Sequence, residues 1–86
     1  MPRIRYTLTT HAATTIAERE IDPAWIERTL AQPERIEPDR FDASLTHALA
    51  RIGERDQRVL RVVYNASMDP LRVVTAYFDR RQRGKA

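Results

Sequence analysis

The sequence predicts an α+β domain in which two N-terminal helices pack on a three- to four-stranded antiparallel sheet. Three observations carry this. Asp22-Pro23 marks a helix start, because the aspartate can cap and proline fits the first helical position, where its missing N–H costs nothing. After Pro33 the hydrophobic period changes from 3.6 toward 2. Residues 59–64 and Leu71–Phe78 are rich in β-branched and aromatic side chains, and the turn-forming stretch 65–70 separates them.

The elements follow in order. Residues 3–8 alternate, with Ile4, Tyr6 and Leu8 against Arg3, Arg5 and Thr7, as in a short strand or an extended lead-in. Thr9 or Thr10 can then cap a helix over 11–20, since a hydroxyl accepts from a free N–H one turn on. Ala12, Ala13, Ile16 and Ala17 are expected on its inner side, with His11, Thr15 and Glu18 opposite and Arg19 at the border. The second helix runs to about Gln32 with Trp25, Ile26, Thr29 and Leu30 inward, and Ile21 before its cap can staple the two helices. Residues 34–37 read as an edge strand ended by Pro38, and 39–42 as a turn. Leu45–Ile52 alternates and precedes the turn 53–57, which makes it a strand, although its alanines and leucines also suit a helix. Leu60, Val62 and Tyr64 share one face of the next strand; Leu71, Val73, Thr75 and Tyr77 are expected to share one face of the last. Both faces of these two strands carry apolar residues, so both are expected to be central.

Composition narrows the function classes. Eighty-six residues fit one domain, here 1–79 with a basic tail at 80–86. Hydrophobic residues at 42% and charged residues at 31% exclude a wholly disordered chain. No cysteine is present, which excludes disulfides, thiol catalysis and thiolate zinc sites. No run is long and apolar enough for a membrane span, and the N-terminus lacks the apolar centre of a signal peptide, so a cytoplasmic location and no membrane partner are expected. Net charge is +3, and Arg80, Arg81, Arg83 and Lys85 concentrate it in the tail, leaving the body near neutral. Lys85 is the sole lysine. The preference for arginine over lysine reads as codon bias or as phosphate binding, since guanidinium groups suit paired phosphate oxygens, and the tail serves either solubility or the capture of an anionic partner.

A resemblance rests on specific residues. His11-Ala12, Ile16, Glu18-Arg19 and Ile21 form the pattern H-A-x-x-x-I-x-E-R-x-I. A short helix ending near Pro33 follows, then a strand with Ile36, then Leu60-Arg61-Val62-Val63 and Val73-Val74-Thr75-Ala76-Tyr77. This order resembles domain-of-unknown-function family 4258 and looks related to the RelE/ParE-like toxin superfamily with its BrnT-like members, over residues 6–79. The resemblance implies a RelE-like fold and a toxin of a toxin–antitoxin pair, with an antitoxin protein and RNA as partners. RelE-like members cleave RNA without a metal, and ParE-like members poison gyrase without cleaving anything. The family usually has a basic residue where this chain has Thr15, which puts one RNA contact in doubt.

Metal-independent RNA cleavage needs a base for the 2′-hydroxyl, an acid for the leaving oxygen and cations for the phosphate. His11, Arg19, Arg61 and Tyr77 are the candidate catalytic residues, with Arg80, Arg81, Arg83 and Lys85 positioning nucleic acid. Each has a structural alternative: His11 as a packing residue, Arg19 anchored to a buried carboxylate such as Asp79, Tyr77 in the core. His47, inside an apolar-looking run, reads as structural. No metal site and no cofactor are expected, and the only glycines, Gly53 and Gly84, make no phosphate loop. The rival function is a non-catalytic module that binds protein or nucleic acid on its sheet, where a second copy could also pair.

Overall fold

The computed structural model describes residues 4–80. The chain runs β1 (Tyr6–Leu8), α1 (Thr10–Glu18), α2 (Pro23–Ala31), β2 (Arg35–Pro38), β3 (Leu45–Ile52), a 3-10 turn (Gly53–Arg55), β4 (Arg58–Asn65) and β5 (Leu71–Phe78). The five strands form one sheet in the order β1-β5-β4-β3-β2. From β2 to β5 the sheet is an antiparallel meander, while β1 lies parallel to β5, Tyr6 opposite Leu71. The sheet is therefore five-stranded and mixed, where three or four antiparallel strands were expected. The extra strand is the N-terminal lead-in, held by backbone bonds Leu71 N to Arg5 O at 3.1 Å and Thr9 N to Val73 O at 3.0 Å. β4 consequently lies inside the sheet, and β5 is flanked on both sides over Leu71–Val73, where β1 pairs with it.

The caps explain both helices. Thr9 accepts from Ala12 N at 3.0 Å and Asp22 from Ala24 N at 2.9 Å, with Pro23 at the first helical position. At the C-terminus of α1, Ile21 N donates to Ile16 O and Glu20 N to Ala17 O, with Glu20 at φ 55. This is a Schellman closure with glutamate in the left-handed position that glycine usually fills. It seats Ile21 beside Ile16 in the core and leaves Arg19, the C-cap, exposed.

α1 packs on β5, and α2 on β3 and β4, all on one face of the sheet. The core gathers Ala12, Ile16, Ile21, Ile26, Leu30, Ile52, Leu60, Val62, Val73 and Ala76. The inner stripe of α1 is Ala12, Thr15 and Ile16, so Thr15 is buried, and Ala13 and Ala17 are exposed instead. A second correction concerns β5. Val63 pairs with Thr75 and Tyr64 with Val73, so Val74 is an extra residue, a β-bulge. It switches the alternation: Val73, Ala76 and Phe78 face the helices, and Thr75 and Tyr77 turn to the other face.

Candidate functional site

The face of the sheet away from the helices is built around Arg61. Its neighbours Leu60 and Val62 enter the core, so strand alternation sends Arg61 to the other side, between buried Val59 and Val63. Its guanidinium, 7% exposed, donates from Nε and Nη2 to Oδ2 of Asp79 at 2.8 and 2.7 Å. Nη1 donates to Oε1 of Glu37 at 3.1 Å and to Nδ1 of His47 at 2.8 Å. A guanidinium has no acceptor, so Nδ1 accepts and the proton of the neutral ring sits on Nε2, which donates to Oδ1 of Asp39 at 2.8 Å. Burial works against the charge of Arg61, but the hydrogen bonds with Asp79 and Glu37 outweigh it. Arg35 and then Arg61 hold Glu37 below the usual carboxylate range, and His47 with the N–H groups of Phe41 and Asp42 does the same for Asp39. This network floors a cleft of about 490 Å³, whose rim includes Arg40, Phe41 and Tyr77. Its ring nitrogens and most of its guanidinium hydrogens are consumed by protein partners. Chemically it is a tie between β2, the loop after it, β3, β4 and the end of β5.

A second cleft has a volume of about 250 Å³. The described residues that line it are Arg19, Arg55, Arg58, Arg80 and Phe78. Separate elements deliver them. Arg19 comes from the Schellman closure of α1, Arg55 from the 3-10 turn, Arg58 from the first position of β4, and Phe78 and Arg80 from the end of β5. The turn is pinned to α2 by a two-pronged pair, Arg28 Nη1 to Glu54 Oε1 at 3.1 Å and Nη2 to Oε2 at 2.9 Å. Asp56 and Gln57 at φ 58 and 62 then reverse the chain into β4. Aromatic rings hold the guanidiniums: Arg55 Cζ is 5.2 Å from the Phe78 centroid and 5.9 Å from that of Trp25, and Arg58 Cζ is 5.0 Å from Phe78. Trp25 meets Phe78 edge-on at 6.2 Å. Among the described residues, Arg28, Arg35, Arg51 and Arg61 are each paired with a carboxylate, whereas none of the four cleft arginines forms an ion pair.

The four expected catalytic residues do not share one cleft. Arg61 and Tyr77 meet on the face away from the helices. His11 is exposed on α1, across the sheet, where its Nε2 lies 3.5 Å from Oγ1 of Thr15. Arg19 joins the arginine cleft. Asp79 is buried, as expected of a carboxylate anchor, and the guanidinium it holds is that of Arg61. Of the expected nucleic-acid-binding residues, Arg80 lines the arginine cleft, while Arg81, Arg83 and Lys85 lie outside the described residues. Sequence reasoning missed Arg55 and Arg58, whose only signal was basic residues in and after a turn, and Glu37, Asp39 and His47 as partners of Arg61. Among the described residues, no three His, Asp or Glu side chains converge as metal ligands would, and no helix is long and apolar enough to cross a membrane.

In the comparison with known families, the family described as Domain of unknown function (DUF4258) matches residues 8–78. No curated protein and no solved structure matches.

Proposed function

We propose that this chain, which belongs to the family Domain of unknown function (DUF4258), is a non-catalytic module that binds a polyanion through the arginine cleft around Phe78. One observation carries the reading: Arg19, Arg55, Arg58 and Arg80 crowd one cleft with no carboxylate among its described lining residues. Like charges held together destabilise the free protein, and an anionic ligand relieves that repulsion. Arg81, Arg83 and Lys85 follow directly in the sequence and add to the same charge. Heparin chromatography tests it. The protein is expected to be retained above about 0.2 M salt, and Arg55→Ala/Arg58→Ala to elute markedly earlier. Failure of the native chain to be retained at about 0.05 M salt overturns the proposal.

A second reading, a toxin-like, metal-independent ribonuclease of the RelE/ParE-like kind, is favoured by the cleft that joins Arg61, Tyr77 and His47. Its test is incubation with RNA in the presence of a chelator, scored for cleaved products and for their loss in Tyr77→Phe and His47→Ala. Expression that neither arrests growth nor breaks down RNA overturns it.

A further inference from the structure

We infer that the ligand of the arginine cleft is the sugar–phosphate backbone of a nucleic acid, held without reading its bases; this rests on the polyanion reading above.

The cations among the described lining residues are all arginines. Each offers two parallel N–H groups that match the two free oxygens of a phosphodiester, where an ammonium would offer a point charge. The rings serve the arginines. Phe78 is already engaged by Arg55, Arg58 and the indole of Trp25, so it orients guanidiniums and is not an open platform for a base. No Asn, Gln, Ser, Thr or carboxylate is among the described lining residues, so the cleft has few of the mixed donors and acceptors that discriminate base edges.

An acidic peptide is the rival ligand. Peptides dock by adding a strand to a sheet edge, by filling an apolar groove, or by setting an acidic motif on an arginine cluster. β1 pairs with β5 only at Leu71–Val73, so among the described residues the outer edge of β5 beside Phe78 has no strand neighbour, and the polyglutamate arm of the test below covers a peptide added there. Four guanidiniums and one half-buried ring make no apolar groove. A phosphodiester chain presents a charge at every nucleotide and needs neither edge nor groove.

Fluorescence anisotropy on the full chain tests this, with labelled oligonucleotides of thymidine, adenosine and mixed sequence, an abasic oligonucleotide of the same length, and polyglutamate of equal charge. All oligonucleotides, the abasic one included, are expected to bind within about threefold of one another, with log K falling linearly in log salt. Polyglutamate, whose long flexible side chains must be ordered on binding, is expected to bind about tenfold more weakly. Arg55→Lys/Arg58→Lys, which keeps charge and loses the fork, is expected to weaken every oligonucleotide equally by about three- to tenfold. Arg72→Ala, exposed at the other end of β5, is expected to change binding by less than about twofold. A preference above about thirtyfold for one sequence, or loss of the abasic strand, overturns backbone recognition while leaving polyanion binding intact. Tighter binding of polyglutamate assigns the cleft to an acidic protein. Binding of no polyanion removes the proposed function and this inference together.

Discussion

Arg61 grips a single oxygen of Asp79 with two of its nitrogens, Nε at 2.8 Å and Nη2 at 2.7 Å, and both side chains are almost wholly buried. The pair ties the middle of β4 to the residue just past β5, immediately before Arg80. Breaking a buried pair leaves one charge unpaired in a poor solvent for it. Asp79→Ala is therefore expected to cost about 3–5 kcal/mol in denaturant unfolding. A loss below about 1 kcal/mol would mean that water reaches the guanidinium.

His47 takes one hydrogen bond and gives one, accepting from Arg61 at Nδ1 and donating to Asp39 from Nε2. Its neutral ring is expected as the Nε2–H tautomer, visible in long-range nitrogen correlations by NMR. The Nδ1–H tautomer in that spectrum refutes the network. His47→Ala strips partners from both Arg61 and Asp39 and is expected to cost about 1–3 kcal/mol.

Thr29 is fully buried on α2, and its hydroxyl is the one buried side-chain polar atom without a partner among the described residues. Valine has the same shape and no hydroxyl to desolvate. Thr29→Val is expected to raise stability by about 1 kcal/mol or more, read as a higher denaturation midpoint at unchanged slope. A lower midpoint would show that the hydroxyl is satisfied in solution.

Acid is expected to unfold the protein over a defined window. The side-chain hydrogen bond from Arg28 is the main cause that lowers Glu54 from 4.5 to about 2. Glu37, Asp39 and Asp42 are also below their ordinary values, through Arg35, His47 and Ser44 respectively. A depressed folded value means stability that is complete above the unfolded value and is lost as pH falls through the folded one. Thermal midpoints should hold steady down to about pH 5 and fall from about 4.5 toward 2. Arg28→Ala should flatten the lower part of that fall, and salt should shrink its effect because both partners are exposed. An unchanged acid profile in that variant would remove Glu54 from the account.

Local chemistry made much of the fold legible. Asp22-Pro23 writes its own helix start, and the alternation of Leu45–Ile52 outweighed its helix-favouring alanines because it pairs along its whole length with β4. Residues 3–8 left strand and lead-in open, since the parallel partner of Tyr6 stands at Leu71, far along the chain. Val74 gives no sign of being a bulge, because valine suits either pairing, and the faces of β5 were misread in consequence. The arginine cleft was illegible for a related reason. Arg19, Arg55, Arg58 and Arg80 share no spacing, and only the fold brings them together. Arg61 was noticed as a cation, but its neutralisation by Asp79 and Glu37 depends on cross-strand neighbours that sequence order hides.

The extra residue in β5 acts as a frame marker for everything downstream of it. Deleting Val74 would join Val73 to Thr75 and keep every later side chain on its present side, whereas pairing Val74 regularly with Val63 would slide the rest of β5 by one residue and exchange those sides. In that slipped register Tyr77 would be thrust among the helices, and Phe78 would be withdrawn from Trp25 and the two guanidiniums it steadies. A one-residue slip in this strand would thus spare the backbone ladder and erase the surface that the ladder was built to display.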